Sequence, residues 1–452
     1  MKVVILGAGR RGIRLARHLV EEKKDVVMID QRASEINRAM TSVDCLGVVA
    51  SGTDAEELRN AGVSNADAFI ALSGSDEINL VSCGIVSAEF GVPLTIAAVR
   101  SLSYTEKAKS VNLLGISHIV NPSQEAARHI FGDIDKGLYS DIISFENSSL
   151  VLYNIYIDSK SKFRNKAVRE LRQLIPGQFI IAAVSSNGNV FVPNGDTVIH
   201  ENDTLSITIS EDTAEEMLEE MGRVRPKAEK IVIIGATMVT DFLLRLLSRK
   251  RRRHTTVIAR DPQACEELAL KYPDVLVLNE NITNEGVFRQ ENLDSYDLMI
   301  SATDSDELNI IIASYGKHYG IKSTMALVNK NHDFIRMADH LGIDSLLSTQ
   351  DVTVDSIVKY LQGINISGIH SLFEGKIEAL EYKIPSNCPL CGKPLKDINM
   401  KGKGIIVGAR KPDGTSLLPG GDYTVNEGDS LIMVIDRQEL DFIQQLLGIK
   451  AF

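Results

Sequence analysis

Six residues near the start of the chain, Gly7-Ala8-Gly9-Arg10-Arg11-Gly12, have types and spacing that could do chemistry. In a G-x-G-x-x-G turn the first glycine allows a tight bend, the second lets a pyrophosphate approach the backbone, and the third lets helix and strand pack closely. A helix opening there offers unpaired N–H groups and the positive end of its dipole to an anion. Asp30 closes the apolar run Val26-Val27-Met28-Ile29, where a carboxylate would hold ribose hydroxyls. Ser73-Gly74 follows a third apolar run and Arg100 a fourth. Arg10 and Arg11, at the helix start, suit phosphate groups.

These residues form one constellation only if the apolar runs are parallel strands. Runs at residues 3–6, 26–29, 45–50, 68–72 and 94–99 alternate with helical stretches at 13–20, 34–40, 54–58 and 76–90. That β-α-β alternation predicts an α/β fold with a doubly wound parallel sheet. Ligands of such sheets bind beyond the carboxyl ends of the strands. Gly7 to Gly12, Asp30, Ser73-Gly74 and Arg100 all fall at that edge.

From about residue 140 the pattern changes to short strands at 151–157, 179–185, 190–192 and 204–209, with a helix near 166–174. Pro193-Asn194-Gly195-Asp196 and Glu201-Asn202-Asp203 are turn sequences between hairpin strands. A small α+β module is expected. The whole arrangement then recurs after about 230 residues. Ile231-Val232-Ile233-Ile234-Gly235 repeats the first strand and glycine. Asp304-Ser305-Asp306-Glu307-Leu308-Asn309 repeats Gly74-Ser75-Asp76-Glu77-Ile78-Asn79, and Pro419-Gly420-Gly421-Asp422 repeats the module's turn. Four domains are expected in the order A-B-A′-B′, at residues 1–135, 136–222, 228–350 and 351–452, with residues 222–230 as the central linker.

The second copy keeps one glycine of three, Gly235, and has Ala259 where Asp30 stands in the first. The β-branched Thr237 would obstruct a pyrophosphate. Its nucleotide site is expected to be degraded.

The chain has 452 residues, 44% hydrophobic and 24% charged, with a formal net charge of −11. The size suits several domains. The negative charge argues against general nucleic-acid binding. No apolar run approaches the roughly 18 residues of a membrane span, and the first strand leaves no room for a signal peptide. Five cysteines, an odd number, suit a reducing cytoplasm. Cys388-Pro389-Leu390-Cys391 is half a zinc ribbon without a nearby second half, so no metal is expected. Arg249-Lys250-Arg251-Arg252-Arg253 reads as a solvated helix end, with an anion, lipid-headgroup or channel contact as the alternative. Hydrolase elbows and P-loops lack their residues. A dehydrogenase using the first domain for NAD is the competing reading, but it would need a substrate domain that a decayed repeat supplies poorly.

The doubled order of modules, with Gly-Ala-Gly-Arg-Arg-Gly and Leu-Ser-Gly-Ser-Asp-Glu-Ile-Asn, resembles the TrkA family. Those are tandem RCK (regulator of potassium conductance) subunits of bacterial and archaeal Trk potassium uptake systems. The resemblance spans essentially the whole chain. It implies a non-catalytic, cytoplasmic subunit at the inner face of the membrane, assembled as a homotetramer. It also implies binding of NAD(H) or ATP/ADP and gating of a separate TrkH- or TrkG-like potassium channel subunit. Gly7 to Arg11 would hold phosphates, Asp30 the ribose, and Ser73-Gly74 would lie beside the adenosine. The family often carries Arg-x-Arg after the fifth strand. Here only Arg100 remains of it.

Overall fold

The computed structural model describes residues 1–108, 113–136, 142–145, 148–159, 161–174, 178–214, 228–284, 286–329, 341–361 and 366–448. Residues 222–227 of the expected linker lie outside them. Two compact units form, each built from both halves of the chain. One comprises Met1–Ser140 with Pro226–Leu361, the other Asp141–Arg225 with Gln362–Phe452.

The first unit holds two six-stranded parallel sheets. In the first, β1 (Lys2–Leu6), α1 (Arg10–Glu21), β2 (Asp25–Asp30), α2 (Ala33–Ser42), β3 (Leu46–Val49), α3 (Ala55–Asn60) and β4 (Ala68–Ala71) alternate as expected. They are followed by α4 (Asp76–Ile85), β5 (Leu94–Ala98), α5 (Leu102–Ala108), β6 (His118–Val120) and α6 (Pro122–Lys136). The strand order is β3-β2-β1-β4-β5-β6, which reverses direction between β1 and β4 and opens a crevice there. Val3 to Leu6 and Ala68 to Ala71 are buried on both faces, which is why they read as continuous apolar runs.

After the short β strands of the second unit, described next, the parallel pattern returns with β14 (Ile231–Ile234), in the strand order β16 (Leu276–Asn279), β15 (Thr255–Ala259), β14, β17 (Leu298–Ser301), β18 (Ser323–Val328), β19 (Ser345–Ser348). That second sheet carries α8 (Met238–Leu246), α9 (Arg249–Arg252), β15 (Thr255–Ala259), α10 (Pro262–Lys271), β16 (Leu276–Asn279) and α11 (Val287–Gln290). It continues through β17 (Leu298–Ser301), α12 (Asp306–Tyr319), β18 (Ser323–Val328), β19 (Ser345–Ser348) and α13 (Thr349–Leu361). The basic run follows the end of α8, where its sequence places it, and forms a short helix of its own. Ser248 breaks the chain there and caps α9 by accepting from the Arg251 amide.

The sixth strands and the helices after them do not stand out in the sequence. Their partners explain it: α6 packs Ala126, Ala127, Ile130 and Ile134 into the core of the second sheet, beside Phe242, Leu243 and Leu347. In return α13 packs against α1 and β6, where Tyr360 stacks on His118 with ring centroids 3.9 Å apart.

The second unit holds two antiparallel five-stranded sheets. One contains β7 (Ile142–Ser144), β8 (Leu150–Tyr156), β10 (Phe179–Ser186), β11 (Asn189–Phe191) and β13 (Thr204–Ser210). A small ribbon pairs β9 (Lys166–Ala167) with β12 (Val198–Ile199), beside α7 (Val168–Leu174). The other sheet has β20 (Ile366–Leu372), β21 (Ile377–Lys383), β22 (Gly404–Arg410), β23 (Ser416–Leu417) and β24 (Ser430–Asp436), with α14 (Leu440–Leu447) behind it. Leu150, Leu152 and Ala183 meet Ala379, Val407 and Val434 in a shared core. Cys388 is buried in a separate core with Leu390, Ile443 and Leu447, its thiol 3.6 Å from the Leu447 carbonyl, and the Cys391 thiol is 3.6 Å from that of Pro385. Among the described residues no helix is long and apolar enough to cross a membrane.

Candidate nucleotide site

β1 ends in Gly7 at φ +102°, where an L side chain is strained and a Cβ would come within 2.9 Å of the Leu72 carbonyl group. Glycine therefore brings the β1 turn against the tip of β4. Gly12 is equally demanding: its Cβ would lie 2.0 Å from the Gly7 oxygen, so the first turn of α1 packs directly on the bend. Gly9 differs from both. A Cβ there would meet nothing within 4 Å, and as N-cap of α1 it makes no side-chain bond to the helix amides. Its missing side chain leaves the first amides of α1 accessible.

A cavity of about 380 Å³ opens at this edge, lined by Leu6, Gly7, Gly9, Asp30, Gln31, Arg32, Gly52, Leu72, Ser73, Gly74, Ser75 and Ile78. Asp30 is fixed on its wall by two backbone donors. Oδ2 accepts from Ala8 N at 2.9 Å, and Oδ1 from Arg32 N at 2.9 Å. Oδ1 also accepts from the Arg32 guanidinium at 3.4 Å, so it is Oδ2 that retains a lone pair for a ligand hydroxyl.

Of the residues singled out in the sequence, Gly7, Gly9, Asp30, Ser73 and Gly74 line this cavity together. Ala8 and Gly12 are buried behind it, shaping the turn. Arg10 is exposed and Arg11 half-buried, and neither belongs to the wall. Burial first, then the Arg100 guanidinium, lowers the pKa of Arg11, with Asp76 opposing. Arg100 lies outside the wall too, its guanidinium donating to the Gly74 carbonyl.

Sequence reasoning missed the residues that hold the β4 and β5 loops. Asn79 is buried, accepts from Ser73 N at 2.8 Å and donates to the Ala98 carbonyl at 2.8 Å. Asp76 accepts from the amides of Arg100 at 3.0 Å and Ser101 at 2.7 Å. The signal was available: Asp and Asn recur at Asp306 and Asn309 in the copy without a glycine motif. There Asn309 binds Thr303 N at 2.8 Å and the Leu327 carbonyl at 2.9 Å, and Asp306 binds Asn329 N at 2.8 Å.

The second copy keeps this scaffold and alters the ligand side. Gly235 has the same bend, φ +114°, but Thr237 turns its hydroxyl across the crevice to the Ala302 carbonyl at 3.0 Å. Thr240, at the position of Gly12, donates its hydroxyl to the Gly235 oxygen at 2.6 Å, so a side chain stands where the first copy has none. Asp261 does not substitute for Asp30; it caps α10, accepting from Gln263 N at 3.0 Å.

Two Rossmann-like sheets, one of which keeps a dinucleotide-type crevice, and two small β modules define the class: a duplicated nucleotide-domain protein. More particularly, the chain belongs to the TrkA family. The TrkA-N domain model matches residues 3–122 and 231–349, and the TrkA-C domain model matches 152–222 and 379–448. It is similar to the Trk system potassium uptake protein TrkA of Azorhizobium caulinodans, 26% identical over 99% of both chains. It is also similar to the TrkA homolog of Archaeoglobus fulgidus, 27% identical over 99% of this chain and 100% of that one. Among solved structures, the GsuK channel bound to NAD shares the fold with a TM-score of 0.57 and 20% identity, over 99% of this chain and 79% of that one.

Proposed function

We propose that this chain is the nucleotide-binding, non-catalytic regulatory subunit of a Trk-type potassium uptake system. In this reading it has the domain order A-B-A′-B′ and works as a homotetramer on a TrkH- or TrkG-like channel at the inner face of the membrane. The observation that carries the reading is the first-copy crevice, where an uncapped helix start, a bare Gly9 and the fixed Asp30 carboxylate converge. NAD(H) or ATP/ADP would place phosphates at the Gly7 to Arg11 turn, a ribose on Asp30 and the adenosine beside Ser73-Gly74. Arg11 and Arg100 would act on phosphates that extend beyond the wall.

A ligand shifts a regulator only through unequal affinity for its two arrangements. α1 is suited to report occupancy, because Arg14 pairs with Asp351 of α13 at 2.9 Å. Phosphate charge at the start of α1 thus acts on a helix tied to the second sheet.

Thermal melting of the purified chain with NAD, NADH, ADP and ATP tests the binding. A ligand at a hundred times its Kd stabilises by about 2.7 kcal/mol. Stabilisation by an adenine nucleotide, lost in Asp30→Asn, is expected, together with restored potassium uptake when the chain and its channel are expressed in uptake-deficient cells. No stabilisation by any of the four, or uptake equal without the chain, would refute the reading.

A further inference from the structure

The chain is acidic overall, yet one face of the second sheet is strongly basic. α8, α9 and α10 all end or lie at the amino edge of that sheet, opposite the edge where ligands of such folds bind. Arg252 serves the fold: it donates to Asp274 at 3.0 Å, to the Leu244 carbonyl at 3.2 Å and to the Leu247 carbonyl at 3.4 Å. The other cations exceed that need. Arg249 is 77% exposed and only 3.9 Å from Asp274, while Lys250 and Arg253 are exposed. Arg245 and Lys271 flank them, both paired with Asp241.

The first repeat carries no such run at the equivalent place. Its equivalent turn reads Glu21-Glu22-Lys23-Lys24-Asp25, which is near neutral. The basic face therefore belongs to the second copy alone and is not needed to close the fold. Two leucines are exposed among these cations: Leu246 at 39%, next to Arg245, and Leu270 at 78%, next to Lys271. Cations beside exposed apolar side chains match a lipid interface, where charge meets headgroups and leucine enters the acyl boundary. A nucleic-acid backbone would use the charges and leave the leucines without a partner.

We propose that this face docks on anionic phospholipid headgroups. The inference is independent of the nucleotide site. Sedimentation of the full chain with vesicles tests it, comparing phosphatidylcholine alone with a phosphatidylcholine–phosphatidylglycerol mixture. Binding to the anionic vesicles only is expected, falling as salt rises, because exposed charges are screened beyond about 10 Å at 0.1 M. Lys250→Ala with Arg253→Ala should weaken it about 25-fold, from about fivefold per removed cation. An unchanged melting temperature shows that variant folded. Leu270→Ser should weaken binding at every salt concentration. Equal binding to neutral vesicles, no sedimentation, or an unaffected double variant would overturn the proposal. Tighter binding to a duplex oligonucleotide than to anionic vesicles at the same salt would overturn it too.

Discussion

Gly9 and Gly12 lie three residues apart in one motif, yet the space around them is opposite. A side chain at position 9 meets nothing, and one at position 12 meets the Gly7 oxygen at 2.0 Å. Gly9→Val is therefore expected to melt like the parent while losing nucleotide binding. Gly12→Ala should cost about 1–3 kcal/mol or more, as overpacking does. Denaturant melts with and without nucleotide separate the two effects. The glycine turn and Asp30 were legible in the sequence because backbone geometry dictates them. Asp76 and Asn79 were not: their bonds run to the backbone of the neighbouring strand's loop, and only the repeat marks them as scaffold. The arginines were half legible, since helix position sets where Arg10 and Arg11 start but not where their long side chains end.

At the level of elements, a carboxylate ties strand ends together at the amino edge of the second parallel sheet. Asp297, just before β17, accepts from Glu229 N and Lys230 N at 2.9 Å each and pairs with Lys322 at 2.6 Å. Burial pushes this carboxyl upward, but the Lys230 amide, the Lys322 ammonium and the Glu229 amide together hold it below the usual carboxylate range. A depressed folded pKa contributes stability that is fully present above the unfolded value of about 3.9 and is lost as pH falls through the folded value. Melting from pH 7 down to pH 3 should therefore show Asp297→Asn less stable than the parent at neutral pH and the gap narrowing below about pH 4. A gap independent of pH would contradict the assignment. The buried strands were readable from apolar runs. The strand His118–Val120 is three residues long and α6 spends its apolar face on the other copy, so neither announces itself locally.

For the whole molecule, duplication separates what the fold requires from what the ligand requires. The bend at Gly7 and Gly235 and the bonds of Asn79 and Asn309 survive in both copies. The bare Gly9 and the Asp30 carboxylate belong to the first alone, their places taken by Thr237 and Ala259. The central claim is thus one nucleotide site per chain, formed by the first copy. Titration calorimetry of the full chain with NAD and with ADP measures it most directly. The account predicts a single site per chain, abolished by Gly9→Val and unchanged by Thr237→Ala. Two equal sites per chain, or a folded Gly9→Val variant that binds as the parent does, would contradict it.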